Sequence, residues 1–71
     1  MKNNNEAHDI EQTFIGKICS ERMNVNIYLT NGVRLEGRIT KFDKDALILS
    51  NDLRVTLVNQ HAIASININQ T

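Results

Sequence analysis

Two alternating segments meet at Asn31-Gly32. Val25, Ile27 and Leu29 alternate with Asn26, Tyr28 and Thr30; Val33, Leu35, Gly37 and Ile39 alternate with Arg34, Glu36, Arg38 and Thr40. A period of two with apolar residues on one side is the pattern of a half-buried antiparallel strand. Asn-Gly between two such runs is the strongest short-range hairpin signal a sequence carries. Gly37 interrupts the apolar row of the second strand, where a glycine marks a bulge or a sharp bend. The centre of this chain is therefore a bent hairpin.

The flanking segments supply the rest of a small fold. Asp9 is a suitable N-cap and Gln12 stands three residues on, as in a capping box. Ile10, Phe14, Ile15, Ile18 and Cys19 follow as an apolar stripe, so a helix is predicted from Ile10 to Arg22, weakened by about 1 kcal/mol at Gly16 relative to Ala. A more continuously apolar third strand spans Ala46 to Ser50, Asn51-Asp52 makes a turn, and a fourth strand runs from Val55 to Asn59. Gln60-His61-Ala62 is a short connection to a fifth strand, Ile63 to Ile68. Residues 1–8 are polar and expected to be a disordered tail, leaving one domain over 9–71. A helix followed by five short, bent strands predicts a mainly β fold of the small SH3-like barrel type.

At 71 residues the core is limited, and chains of this size add disulfides, metals or oligomerisation. A single cysteine, Cys19, excludes an intrachain disulfide. His8, His61 and Cys19 match no zinc spacing, and no cofactor is expected. Oligomerisation remains, and the fourth and fifth strands, with few blocking charges, would be open edges that invite pairing with another chain. The N-terminus Met1 to Glu6 lacks the apolar core of a signal peptide, and no apolar run reaches membrane-spanning length; a soluble cytoplasmic protein is expected. Eight basic and eight acidic residues give zero net charge, which argues against non-specific nucleic-acid binding. The basic residues nevertheless concentrate between Lys17 and Lys44, with only Arg54 following.

The motifs Tyr28-Leu29-x-Asn31-Gly32-Val33-x-Leu35-x-Gly37, Phe42-Asp43 and His61-Ala62-Ile63, in this order and spacing, resemble the Hfq family of bacterial RNA chaperones, within the Sm-like (LSm) proteins. The resemblance covers roughly residues 9–68. It implies an N-terminal helix on a strongly bent five-stranded antiparallel barrel, whose edge strands pair between neighbours to close a ring, expected to be a homohexamer. It also implies single-stranded RNA, both small regulatory RNA and mRNA, as partner.

Three RNA surfaces follow from the resemblance. His61 with Gln60 and Asn59, together with Lys44, Asp45 and Glu11, would line the pore face that takes U-rich RNA. Asp45 stands where the family places a stacking residue, Gln60 where it has lysine, and Glu11 where it has glutamine. Tyr28 would stack purines of A-rich RNA on the opposite face, with Asn31, Gly32, Val33, Arg34, Leu35, Glu36 and Ser65; Glu36 replaces the family's usual glutamine. At the rim, Arg22 and Lys17 are what remains of a basic cluster. An isolated histidine is most often a surface residue with a satisfied hydrogen bond, and an isolated tyrosine an amphipathic surface residue; the motif context carries the functional reading of both. Phe42 is expected in the core and Asp43 on the backbone of the following turn. The function expected is RNA-chaperone activity in small RNA–mRNA pairing. The alternative is a protein-interaction or assembly scaffold with little RNA binding, since fold alone does not fix function. An enzyme is poorly supported, as no nucleophile–base–acid set surrounds His61 and no glycine-rich phosphate loop occurs.

Overall fold

The computed structural model describes residues 6–69, with side chains from Ile10 onward. Helix α1 (Glu6–Ser20) precedes strands β1 (Asn24–Leu29), β2 (Arg34–Phe42), β3 (Ala46–Ser50), β4 (Val55–Asn59) and β5 (Ile63–Ile68). All pairings are antiparallel and the sheet order is β4-β3-β2-β1-β5. The last three strands have the bounds expected from the sequence.

β2 is the long strand that bends the sheet. Its first half pairs with β1 and its second half with β3, and Arg38 faces both Asn24 and Ser50. Gly37 sits at this crossing, where an added Cβ would fall 2.5 Å from the Ser50 carbonyl oxygen. Only a residue without a side chain lets β3 come this close. A register shift between Ile39 and Lys41 adds a bulge beyond it.

Inward-facing residues from the helix and the first four strands make one core: Ile15 and Ile18 of α1, Val25 and Ile27 of β1, Ile39 of β2, Leu47 and Leu49 of β3, and Val58 of β4. Leu29, Leu35, Ile63, Ile66 and Ile68 pack around it half-buried.

Side-chain oxygens organise all four strand connections. Asn31, Asp43, Asn51 and Asn59 each accept a hydrogen bond from the backbone N–H two residues on, at Val33, Asp45, Leu53 and His61 respectively. This Asx-turn geometry explains why Asn and Asp start these turns.

The structure departs from the sequence reading in the helix. Helix α1 starts at Glu6, not beyond Asp9, because Glu6 and Ala7 are strong helix formers that extend it. Three residues of the expected tail are thus helical, while 1–5 lie outside the described residues. Ile10 and Phe14 are exposed rather than part of the buried stripe; at 3.6 residues per turn Ile10 lies about 140° round the helix from Ile15. Arg22 lies past the helix end with φ +55°. Met23 N–H donates to Ile18 O and Arg22 N–H to Cys19 O, a Schellman closure that turns Met23 back onto the core.

Two further differences concern β1–β3. The hairpin loop has three residues, Thr30 to Gly32: Gly32 N–H donates to Leu29 O and Leu29 N–H to Val33 O, and only Gly32 has positive φ, at +91°. This is a turn closed by a glycine bulge, not a two-residue turn on Asn31-Gly32. Phe42 is not in the core. It lies at the end of β2 across Gly16, whose missing side chain leaves room for the ring, with Phe42 Cζ 3.5 Å from where a Cβ would stand.

Candidate nucleic-acid interface

The His61 surface is built on the β2–β3 turn. Asp43 Oδ1 accepts from the N–H groups of Asp45 and Ala46 at 2.8 and 2.9 Å. Those bonds, helped by the charge of Lys44, hold the Asp43 carboxyl below its usual value. Asp43 is therefore structural, as expected.

Gln60 joins this turn to the rest of the protein. It is the buried polar residue of the described set, 5% exposed. Its Nε2 donates to Asp43 O and to Ala46 O, its Oε1 accepts from Gln12 Nε2 at 3.1 Å, and its backbone N–H donates to Asp45 O. One amide thus ties the helix, the β2–β3 turn and the 3₁₀ turn Gln60–Ala62 together. The sequence reading placed Gln60 among residues open to RNA; the structure spends its polar atoms inside the protein. It also replaces Glu11 by Gln12 at this contact: Glu11 is exposed on the helix, one residue away from the side chain that meets the turn.

The 3₁₀ turn presents His61 to solvent. Asn59 caps it by accepting from His61 N–H at 2.9 Å, and Thr30 N–H donates to Ala62 O. The His61 ring faces Asp45, with Nε2 3.9 Å from Oδ1, and Lys44 Nζ reaches the other carboxylate oxygen at 3.3 Å. All three side chains are largely exposed, so these pairs add little stability. The structure does bring His61, Asn59, Lys44 and Asp45 together, with the acidic side chain between the two basic ones.

The Tyr28 surface is the outer face of β1, β2 and β5. Tyr28 is partly exposed and pairs with Arg34 on one side and Ser65 on the other. Asn31, Gly32 and the exposed Val33 form the adjoining loop. Leu35 points the other way and packs against the core, so of the residues expected here it lends support from below. Glu36 and Arg34 belong to a hydrogen-bonded ladder across three strands. Asn24 and Asn69 amides donate to Glu36 Oε2 at 3.1 and 3.5 Å, Arg34 donates to Asn26 Oδ1 at 3.0 Å, and Asn26 donates to Asn69 Oδ1.

At the helix end the expected rim residues stand in different settings. Lys17 pairs with Glu21 at 3.8 Å, and Arg22 occupies the left-handed position of the helix closure.

Sequence reasoning missed Gln12, Asn24, Asn26 and Asn69. Asn24 and Asn26 were findable, because they share the period-two face of Tyr28. Gln12 and Asn69 were not, since each acts through a partner more than thirty residues away in the chain. Among the described residues no helix is long and apolar enough to cross a membrane, and no group of three His, Cys, Asp or Glu residues could hold a metal ion.

Comparison with known proteins agrees with this architecture. The family model described as "Hfq protein" matches residues 10–71. The RNA-binding protein Hfq of Parvibaculum lavamentivorans is 35% identical over 63 residues, covering 89% of this chain and 77% of that protein. The protein of the same name from Alkaliphilus metalliredigens is 35% identical over 66 residues, covering 93% of this chain and 79% of that protein. Among solved structures, the pleiotropic translational regulator Hfq superposes with TM-score 0.81 at 22% identity, covering 97% of this chain and all of that one. An Hfq protein from Anabaena superposes with TM-score 0.76 at 20% identity, covering 83% of this chain and 95% of that one. These two show the fold, an N-terminal helix on five antiparallel strands. With the family model matched across the whole domain and relatives this similar in sequence, the chain belongs to the Hfq family.

Proposed function

We propose that this protein is a cytoplasmic RNA chaperone: a closed ring, of six subunits, that binds single-stranded RNA and assists the pairing of small regulatory RNA with mRNA. The observation that carries the reading is Tyr28. An aromatic ring stands partly exposed on a polar sheet face, between Arg34 and Ser65 and beside the loop at Gly32. A flat face next to a guanidinium is what a stacked base and its phosphate require. Purine-rich, A-rich strands are assigned to this surface, with Asn31, Gly32, Val33, Arg34, Glu36 and Ser65 around the base and Leu35 beneath.

U-rich strands are assigned to the surface formed by His61, Asn59 and Lys44, with Gln60 holding the turn from inside. Asp45 works against phosphate there and offers no stacking face, and Glu11 adds another negative charge nearby. This surface is therefore the weaker of the two. Lys17 and Arg22 at the helix end contribute little. The ring is supported by the two open edges of the sheet and by the exposure of Val55 and Leu57 on β4, each 72%.

The acidic Asp45 against His61 also favours a second reading, an assembly scaffold with little RNA binding. Light scattering together with fluorescence anisotropy of short A-rich and U-rich oligonucleotides, across a salt series, separates the two. A chaperone ring gives a six-fold mass and binding that falls with salt. Tyr28→Ala weakens A-rich binding by about 1–3 kcal/mol per stacked base and leaves U-rich binding alone, whereas His61→Ala does the reverse. A monomer overturns the ring. Salt-insensitive or absent binding favours the scaffold, and equal loss of both ligands in either variant overturns the assignment to two surfaces.

A further inference from the structure

We infer that the Tyr28 surface selects guanine over adenine at one base position, through the carboxylate of Glu36; this rests on the RNA-binding reading above and refines its ligand.

Glu36 lies diagonally across from Tyr28, because Tyr28 pairs with Arg34 and Asn26 with Glu36. Diagonal neighbours on one sheet face are roughly 7–8 Å apart, within reach of long and aromatic side chains. A base stacked on or beside the Tyr28 ring therefore brings its edge toward the Glu36 carboxylate.

That carboxylate is oriented in advance. Asn24 on β1 and Asn69 just beyond β5 both donate to Oε2. Among the described residues nothing donates to Oε1, and the side chain is exposed. An ionised carboxylate accepts hydrogen bonds and cannot donate them. Guanine presents two donors side by side on its Watson–Crick edge, N1–H and the N2 amine, which suit a carboxylate. Adenine presents one amine next to N1, itself an acceptor, which a carboxylate repels. Uracil presents one N–H between two carbonyls. Reading such edges on unpaired bases is the usual route to sequence preference in single-stranded RNA.

A lone carboxylate would repel the phosphates that come with the base, but this one is flanked. Arg34 and Arg38 stand two residues to either side of Glu36, on the same exposed face of β2. Arg34 is steadied by Asn26. The face thus carries two guanidinium groups for the backbone around one acceptor for the base, a division between phosphate contacts that position and base contacts that specify.

The test uses the full-length protein and short RNAs built as repeats of A-A-A, A-A-G or A-A-inosine, each labelled for anisotropy at fixed salt. The isolated guanines avoid G-rich tracts. The A-A-G strand should bind about tenfold tighter than A-A-A, the size of discrimination a good bidentate pair gives. Inosine lacks the N2 amine and should fall between them. Glu36→Gln, close in shape, should erase the preference, bringing A-A-G and A-A-A to equal affinity. Because the inosine series needs no variant, it stands even where Glu36→Gln perturbs folding. Equal affinity of the wild-type protein for all three strands, or an unchanged G-to-A ratio in Glu36→Gln, overturns the inference and leaves RNA binding intact. Failure of every strand to bind overturns the RNA-binding reading and this inference with it.

Discussion

Replacing Gln60 tests the clamp that holds the His61 turn. Its side chain makes three hydrogen bonds, to Asp43 O, to Ala46 O and from Gln12 Nε2. At a net worth of about 1 kcal/mol each, Gln60→Ala should cost about 3 kcal/mol, because at 5% exposure water cannot readily take the place of the lost amide. Gln60→Lys is more discriminating. As a surface residue beside RNA, Gln60 changed to lysine would add a useful positive charge. As a buried clamp, the same change keeps donors for the two carbonyls, strands the Gln12 amide and places an ammonium in a site with no carboxylate bonded to it. Burying an unpaired charge is costly, so Gln60→Lys should lose at least as much stability as Gln60→Ala. Urea denaturation followed by circular dichroism, at equal protomer concentration because assembly shifts apparent stability, measures both. A parental midpoint for Gln60→Ala, or a stabilised Gln60→Lys, would refute the clamp.

Gly37→Ala should destabilise by about 2–3 kcal/mol, since the new Cβ would lie 2.5 Å from Ser50 O and strands β2 and β3 must separate; denaturation with hydrogen exchange at Ser50 would show it, and a parental midpoint would mean the crossing gives easily. Asp43 has its folded carboxyl held below the ordinary 3.8 by backbone N–H bonds, so its charged form contributes stability that is fully present above that ordinary value and is lost as pH falls through the depressed one. Asp43→Asn should keep the turn and flatten this acid-side loss in a stability-versus-pH series; an unchanged acid slope contradicts the assignment. Val55→Lys with Leu57→Lys places charges on an edge strand, and should lower the mass seen by light scattering while the β signal in circular dichroism persists; an unchanged mass would show that β4 is not an assembly edge.

What was legible in the sequence was what neighbours in the chain decide. The alternation around Tyr28 marked β1 and β2, and the turn at Asn51-Asp52 separated β3 from β4, because each signal acts within two or three residues. The polar face of the candidate site was legible for the same reason. Gln60 was not, since its burial depends on Asp43, Ala46 and Gln12, the last of them 48 residues away. A glutamine after a strand looks alike whether it meets solvent or a ring of carbonyls. Phe42 misled in the opposite sense: its place outside the core follows from Gly16 on a distant helix. The Glu36 ladder was hidden because β5 lies beside β1, a matter of sheet order rather than of local pattern.

β4 shows how the two kinds of information meet. Val58 is buried on one face while Val55 and Leu57 are 72% exposed on the other, and Leu53 before them is 86% exposed. An antiparallel strand with a wet face carries polar residues there, and apolar residues on both faces belong to a strand covered on both sides. Among the described residues of a single chain nothing covers the second face. β4 is also an edge strand, as is β5 at the far side of the sheet, so one chain exposes both unpaired backbone and bare apolar side chains. A second copy that adds β5 to β4 would satisfy the backbone of both edges in one contact. Because β4 and β5 are different surfaces, the contact is head-to-tail, and every subunit added leaves one edge of each kind still open. Such a series ends without open edges only by closing on itself, which is why the pattern of this short strand argues for a ring and not for a dimer.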